Sequence, residues 1–129
     1  MTRGAVKIDH RKYLAIPYRQ ADCWELIRRV FADCGQRLPS FAVAAADAAA
    51  IAAQVDAARP AWRRLAAPEA PCVVAICNDD QDPARVNHFG VYLGDGTVLH
   101  TLEASGPCVW RLSHRWWAPR IEGYYVPAE

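Results

Sequence analysis

The chain predicts an α+β domain, with helices first and an antiparallel sheet after them, and three observations carry that expectation. Leu26, Ile27, Val30, Phe31 and Cys34 fall at helical spacing behind Asp22. From Cys72 onward the apolar residues come instead in short β-branched and aromatic runs. Gly94-Asp95-Gly96 and Gly106-Pro107 break those runs as tight turns between strands do. Helices and strands segregated along the chain define the α+β class.

Taken in order, the segment before Cys23 reads as extended. Asp22 is placed to cap a helix that starts at Cys23, Glu25 completes a capping-box pattern, and Gly35 supplies the stop. Asp47 to Ala58, rich in alanine, predicts a second helix that Pro60 ends, with a short helical turn over Ala61 to Ala67. Pro68 and Pro71 mark a junction. Cys72 to Cys77 is then a buried strand, Asn78 to Pro83 a turn-rich loop, and Val86 to Glu103 a β-hairpin. Cys108 to Leu112 continues the sheet, Ser113 to Pro119 is a polar and aromatic connection, and Ile121 to Val126 is the last strand.

Composition bounds the rest. A length of 129 residues with 53% hydrophobic content suits one domain over 1–129 with a workable core. Lys+Arg 15 against Asp+Glu 14 leaves a net charge of +1, which gives no broad footprint for nucleic acid. Met1 to Lys12 has no apolar h-region, so no secretory signal is expected. Asp47, Gln54 and Asp56 interrupt the alanine-rich stretch and argue against a membrane span. Five cysteines, an odd number, fit a reducing cytoplasm better than a disulfide framework.

Chemistry is expected at Cys23. A cysteine taken at random is usually a buried packing residue. At the first position of a helix, however, the thiol meets the positive end of the macrodipole, which favours the nucleophilic thiolate. Cys23 is therefore expected to be the most reactive of the five thiols. Its base is sought in the hairpin, where His88 and His100 can cooperate only in one register. A plain two-residue turn at Asp95-Gly96 puts Leu93 opposite Val98 and the histidines on opposite faces. A three-residue loop, a type I turn with Gly96 left-handed in a G1 bulge, pairs Leu93 with Thr97 and Gly90 with His100. The histidines then share a face, and the bare Gly90 between them lets the Cys23 helix come close. The second register is the expectation. Cys72 and Cys77 point to opposite faces of one strand, which is poor zinc geometry, so no metal and no cofactor are expected.

Asp22-Cys23-Trp24 before an apolar helix, then His88-Phe89-Gly90-Val91-Tyr92-Leu93-Gly94-Asp95-Gly96 and Leu99-His100, resembles the NlpC-type cell-wall cysteine peptidases, papain-like enzymes that cut peptidoglycan stem peptides. Ile16-Pro17-Tyr18, Leu38-Pro39 and Ile121-Glu122-Gly123-Tyr124-Tyr125 look like the bacteriophage-tail branch of that family. The similarity runs from about Ile16 to Val126. Glu25 stands where the family usually has Gly, and Pro71-Cys72 where a Gly-Asp pair is common.

The resemblance implies a papain-like fold with Cys23 as nucleophile, His88 as general base, His100 as the group orienting the imidazole, and Tyr18 as a hydroxyl near the thiol. It implies a peptidoglycan peptide as substrate and phage tail-tip proteins as partners. The protein would reside in the bacterial cytoplasm before assembly and in the phage or prophage tail afterwards. The alternative it leaves open is a tail-assembly protein that keeps the fold with weak or no turnover.

Overall fold

Helix α1, Cys23–Asp33, is bounded by the residues expected to bound it. Asp22 Oδ1 accepts the Glu25 N–H at 3.0 Å. Only half of the capping box forms, because the Glu25 carboxylate turns instead to Arg28, at 2.6 Å, and Arg29, at 3.6 Å. At the other end Gly35 has a φ of +84°. The Gln36 N–H reaches Phe31 O at 2.8 Å and the Gly35 N–H reaches Ala32 O at 3.0 Å, a Schellman stop. Cys23, Trp24, Leu26, Ile27, Val30 and Phe31 are buried along one stripe. Cys34, expected on that stripe, lies past the last turn and is exposed.

This computed structural model describes residues 7–38, 53 and 57–128. Among them α1 packs on a six-stranded sheet made of β1 (Trp62–Leu65), β2 (Cys72–Ile76), β3 (His88–Gly94), β4 (Thr97–Leu102), β5 (Gly106–Arg111) and β6 (Ile121–Pro127). Every neighbouring pair is antiparallel, and the order is β1-β6-β2-β3-β4-β5. The α+β class thus holds, with one α-helix of the described residues packed against the sheet. The second helix expected over Asp47 to Ala58 lies largely outside the described residues, within which Ala53, Ala57 and Ala58 are helical. No helix of the described residues is long and apolar enough to cross a membrane.

One local expectation fails for a tertiary reason. Ala61 to Ala67 is not a helical turn: Trp62 to Leu65 pairs with β6, Trp62 opposite Pro127 and Leu65 opposite Tyr124. A neighbouring strand with free backbone groups overrides weak helical propensity. β6, last in the chain, lies between β1 and β2.

The sheet has two apolar faces. Val73, Ala75, Phe89, Val91, Leu93 and Leu99 join the α1 stripe in one cluster. Cys72, Val74, Ile76, Tyr92, Val98, Trp110 and Trp117 form a second cluster on the opposite face. β2 is accordingly buried along its whole length.

The β3–β4 hairpin has the expected register and a different turn. Val91 faces Leu99 and Tyr92 faces Val98, the alignment in which Gly90 meets His100. Asp95 and Gly96 have φ of 56° and 73°, so the chain turns on two left-handed residues, as type I′ does and a type I turn does not. A bulge between Tyr92 and Gly94 takes up the extra residue, and Gly94, at φ 94°, pairs with Thr97. Gly90 serves another purpose than the expected one. A Cβ there would lie 2.8 Å from Val98 Cγ1 and 3.1 Å from Leu99 O, so its bareness admits β4, not α1.

Candidate active site

His88 and His100 sit on the face of the sheet away from α1, and the site is built at the end of the strands. His88 is the first residue of β3, and Cys23 the first of α1. Where those two starts meet, a cavity of about 190 Å³ is lined by Tyr18, Cys23, Asn87, His88, Thr101 and Glu103 among others. Asn87 fixes the entry into β3. Its N–H donates to Ile76 O at 3.1 Å, and its Oδ1 accepts the Asn78 N–H at 2.7 Å.

His88 Nε2 and His100 Nδ1 are 3.0 Å apart, a hydrogen bond between two buried rings. That bond leaves Nδ1 of His88 uncommitted to His100. Behind the pair, the His100 ring meets Trp117 and Trp110 edge to face. The connection expected to be merely polar and aromatic is thus a built wall. The Trp116 and Trp117 N–H groups both donate to His114 Nδ1, at 3.1 and 3.3 Å, so His114 organises this loop. Trp116 itself is 49% exposed, with the Arg120 guanidinium 3.6 Å from its ring centroid.

The electrostatics reverse the expected activation of the thiol. Cys23 is 6% exposed. Burial, reinforced by the Asp22 charge, pushes it up to about 12, although the N–H groups of Phe89, Trp24 and Cys23 itself favour the thiolate. Burial also brings His88 down to about 3, helped by His100, and His100 down to about 4, helped by His114. Tyr18 is raised by burial and by the charges of Cys23, Asp22 and Glu103. Burial therefore favours a neutral thiol and two neutral imidazoles at neutral pH. Desolvation thus opposes the helix terminus at Cys23 and favours the thiol over the thiolate.

A second cavity, of about 260 Å³, lies beside Trp24, Trp62, Phe89, Tyr125 and Arg64 and contains neither thiol nor imidazole. The residues missed by sequence reasoning are Asn87, Thr101, Glu103, His114 and the partnership of Trp110 with Trp117. Only Asn87, adjacent to His88, carried a local signal. The others are brought in by strand pairing and by the loop of residues 112–120.

One helix whose first residue is a cysteine, set against an antiparallel sheet that carries a histidine pair, defines the class: an α+β domain. The chain shares this fold with a lipoprotein-like protein of the NLP/P60 family from Staphylococcus aureus subsp. aureus Mu50, at a TM-score of 0.59 and 19% identity. The likeness covers 100% of this chain and 45% of the other, so the chain spans less than half of that protein's length. No protein-family model matches the chain, and no curated protein does.

Proposed function

We propose that the protein is a cysteine peptidase or amidase acting on peptidoglycan stem peptides, with Cys23 as nucleophile and His88 as general base. The observation that carries this reading is that Cys23, His88 and Tyr18 line one cavity while His88 is held from behind by His100. The likeness to an NLP/P60 protein supports the same direction.

In this reading no ion pair forms in advance. With the thiol at about 12 and the imidazole at about 3, the proton moves only as the sulfur attacks. The S–C bond forms as the thiol proton passes to Nδ1 of His88. The Cys23 N–H and the Tyr18 hydroxyl receive the developing oxyanion. The C–N bond breaks as His88 returns the proton to the leaving amine. Water, deprotonated by His88, then cleaves the thioester and restores the thiol. His100 keeps the ring oriented and needs no charge change of its own. Work within a phage or prophage tail, reached from the bacterial cytoplasm and in contact with tail-tip proteins, is the setting proposed for this activity.

Turnover of a muropeptide panel tests the reading. Cys23→Ala abolishes cleavage, and His88→Ala lowers it by about 10²- to 10⁴-fold, whereas His100→Gln keeps part of it. Circular dichroism of each variant confirms the fold. One observation favours a second reading, an assembly protein without useful turnover: the thiol is buried and strongly neutral. That reading wins if the wild type cleaves nothing in the panel and binds a tail component equally well with and without Cys23.

A further inference from the structure

One nitrogen of the histidine pair is left without a partner. Nε2 of His100 is buried and accepts or donates no hydrogen bond, as is true of Trp110 Nε1, and the His100 ring meets two indoles on one side. The Trp117 ring stands at 88° to it with centroids 4.6 Å apart, and the Trp110 ring at 73° with centroids 5.7 Å apart. The two indoles stack on each other, tilted by 19° at 5.8 Å.

A single proton lies between Nε2 of His88 and Nδ1 of His100, because both rings are neutral. Two arrangements satisfy the bond, and they differ at both outer nitrogens. If His88 donates, its Nδ1 is a bare lone pair and His100 carries its own proton on Nε2. If His100 donates, its Nε2 is a bare lone pair buried among indoles, and His88 carries its proton on Nδ1, where it cannot act as a base. An aromatic face is negative, so it attracts an N–H and repels a lone pair.

We propose that Trp117, backed by Trp110, takes the Nε2–H of His100 on its π face and thereby holds His88 in the tautomer whose Nδ1 is bare. Trp117 is then a positioning residue that acts through two imidazoles. The loop of residues 112–120 fixes Trp117 at both ends of its backbone, since its N–H is held by His114 and its carbonyl accepts the Arg120 N–H at 2.9 Å. The consequence for turnover rests on the thiol-hydrolase reading; the tautomer is a property of the resting protein.

Long-range ¹H–¹⁵N correlation spectra of histidine-labelled protein at neutral pH test it, with His100→Gln used for assignment. The wild type should show both rings protonated on Nε2, with the His100 Nε2 proton shifted upfield by the indole ring current. Trp117→Leu should move His100 toward the Nδ1-protonated form, and Trp117→Phe, which keeps a π face, should restore the wild-type pattern. In muropeptide turnover Trp117→Leu should lower kcat about tenfold, for an indirect loss of base orientation, with KM unchanged. A wild-type His100 protonated on Nδ1, or lacking the upfield shift, overturns the proposal even if Trp117→Leu does not fold. So does a folded Trp117→Leu with the wild-type tautomer. The expected tautomers in a protein that cleaves no muropeptide would overturn the hydrolase reading and leave this assignment standing.

Discussion

Consecutive residues supply two cavities of different character. Cys23 and His88 line the smaller, while Trp24 and Phe89, their immediate successors, line the larger. The larger cavity is walled by aromatic rings, Trp24 meeting Trp62 at 5.8 Å and Phe89 at 5.3 Å between centroids. The smaller is bordered by hydroxyl, amide, carboxylate, thiol and imidazole groups. Size therefore does not mark the chemistry. A strand start and a helix start each place one residue toward the polar cavity and the next toward the aromatic one, so the reactive groups stand directly on packing residues that hold them.

Four measurements probe that division. The largest effect separates neighbours. Trp24→Ala should cost roughly 3–5 kcal/mol of stability in urea denaturation, and Cys23→Ala less than about 1.5 kcal/mol while removing all cleavage. Equal losses would mean that the two residues belong to one packing unit.

Next comes acid. The folded values of His88 and His100 lie below the ordinary 6.5, so the unfolded chain takes up protons first. Their contribution to stability is complete above pH 6.5 and is lost as pH falls toward 4. Each buried imidazole should remove roughly 1.4 kcal/mol per pH unit across that window. Urea midpoints of wild type and His100→Gln, measured at several pH values, should diverge on acidification, with the variant less sensitive. Parallel curves would mean that the polar side is open to water.

Third, iodoacetamide followed by mass spectrometry should label exposed Cys34 at least about tenfold faster than buried Cys23. Cys23 leading would restore the activated thiolate expected from the helix terminus alone. The smallest effect is at the cap. Asp22→Ala should cost about 1 kcal/mol and speed Cys23 alkylation about two- to threefold, since the Asp22 charge opposes the thiolate.

The sequence was most legible where the signal is local. The cap at Asp22, the stop at Gly35, the buried β2 and the pairing of His88 with His100 follow from spacing and residue type. It was least legible where distant segments decide. Nothing near Trp62 announces that β6 will pair with it, and nothing near His114 announces a loop built over His100. The thiol shows the same limit. Its place at a helix terminus can be read from Asp22 and Cys23, but its burial depends on Tyr18, β3 and β4 converging on it.

The hairpin turn also carries one residue more than its geometry requires. The turn itself uses Asp95 and Gly96, and the bulge at Leu93 and Gly94 absorbs the surplus before Tyr92 meets Val98. Deleting Gly94 should leave a plain two-residue hairpin with Leu93 opposite Thr97, and the alignment of His88 with His100 unchanged. Adding a residue should be absorbed as well: Gly94 leaves the strand and joins a four-residue loop between Leu93 and Thr97, and Tyr92 again meets Val98. The tolerance of this loop thus depends on where pairing resumes: as long as Tyr92 meets Val98, changes of length at the tip leave His100 beside His88 and Leu99 toward the helix.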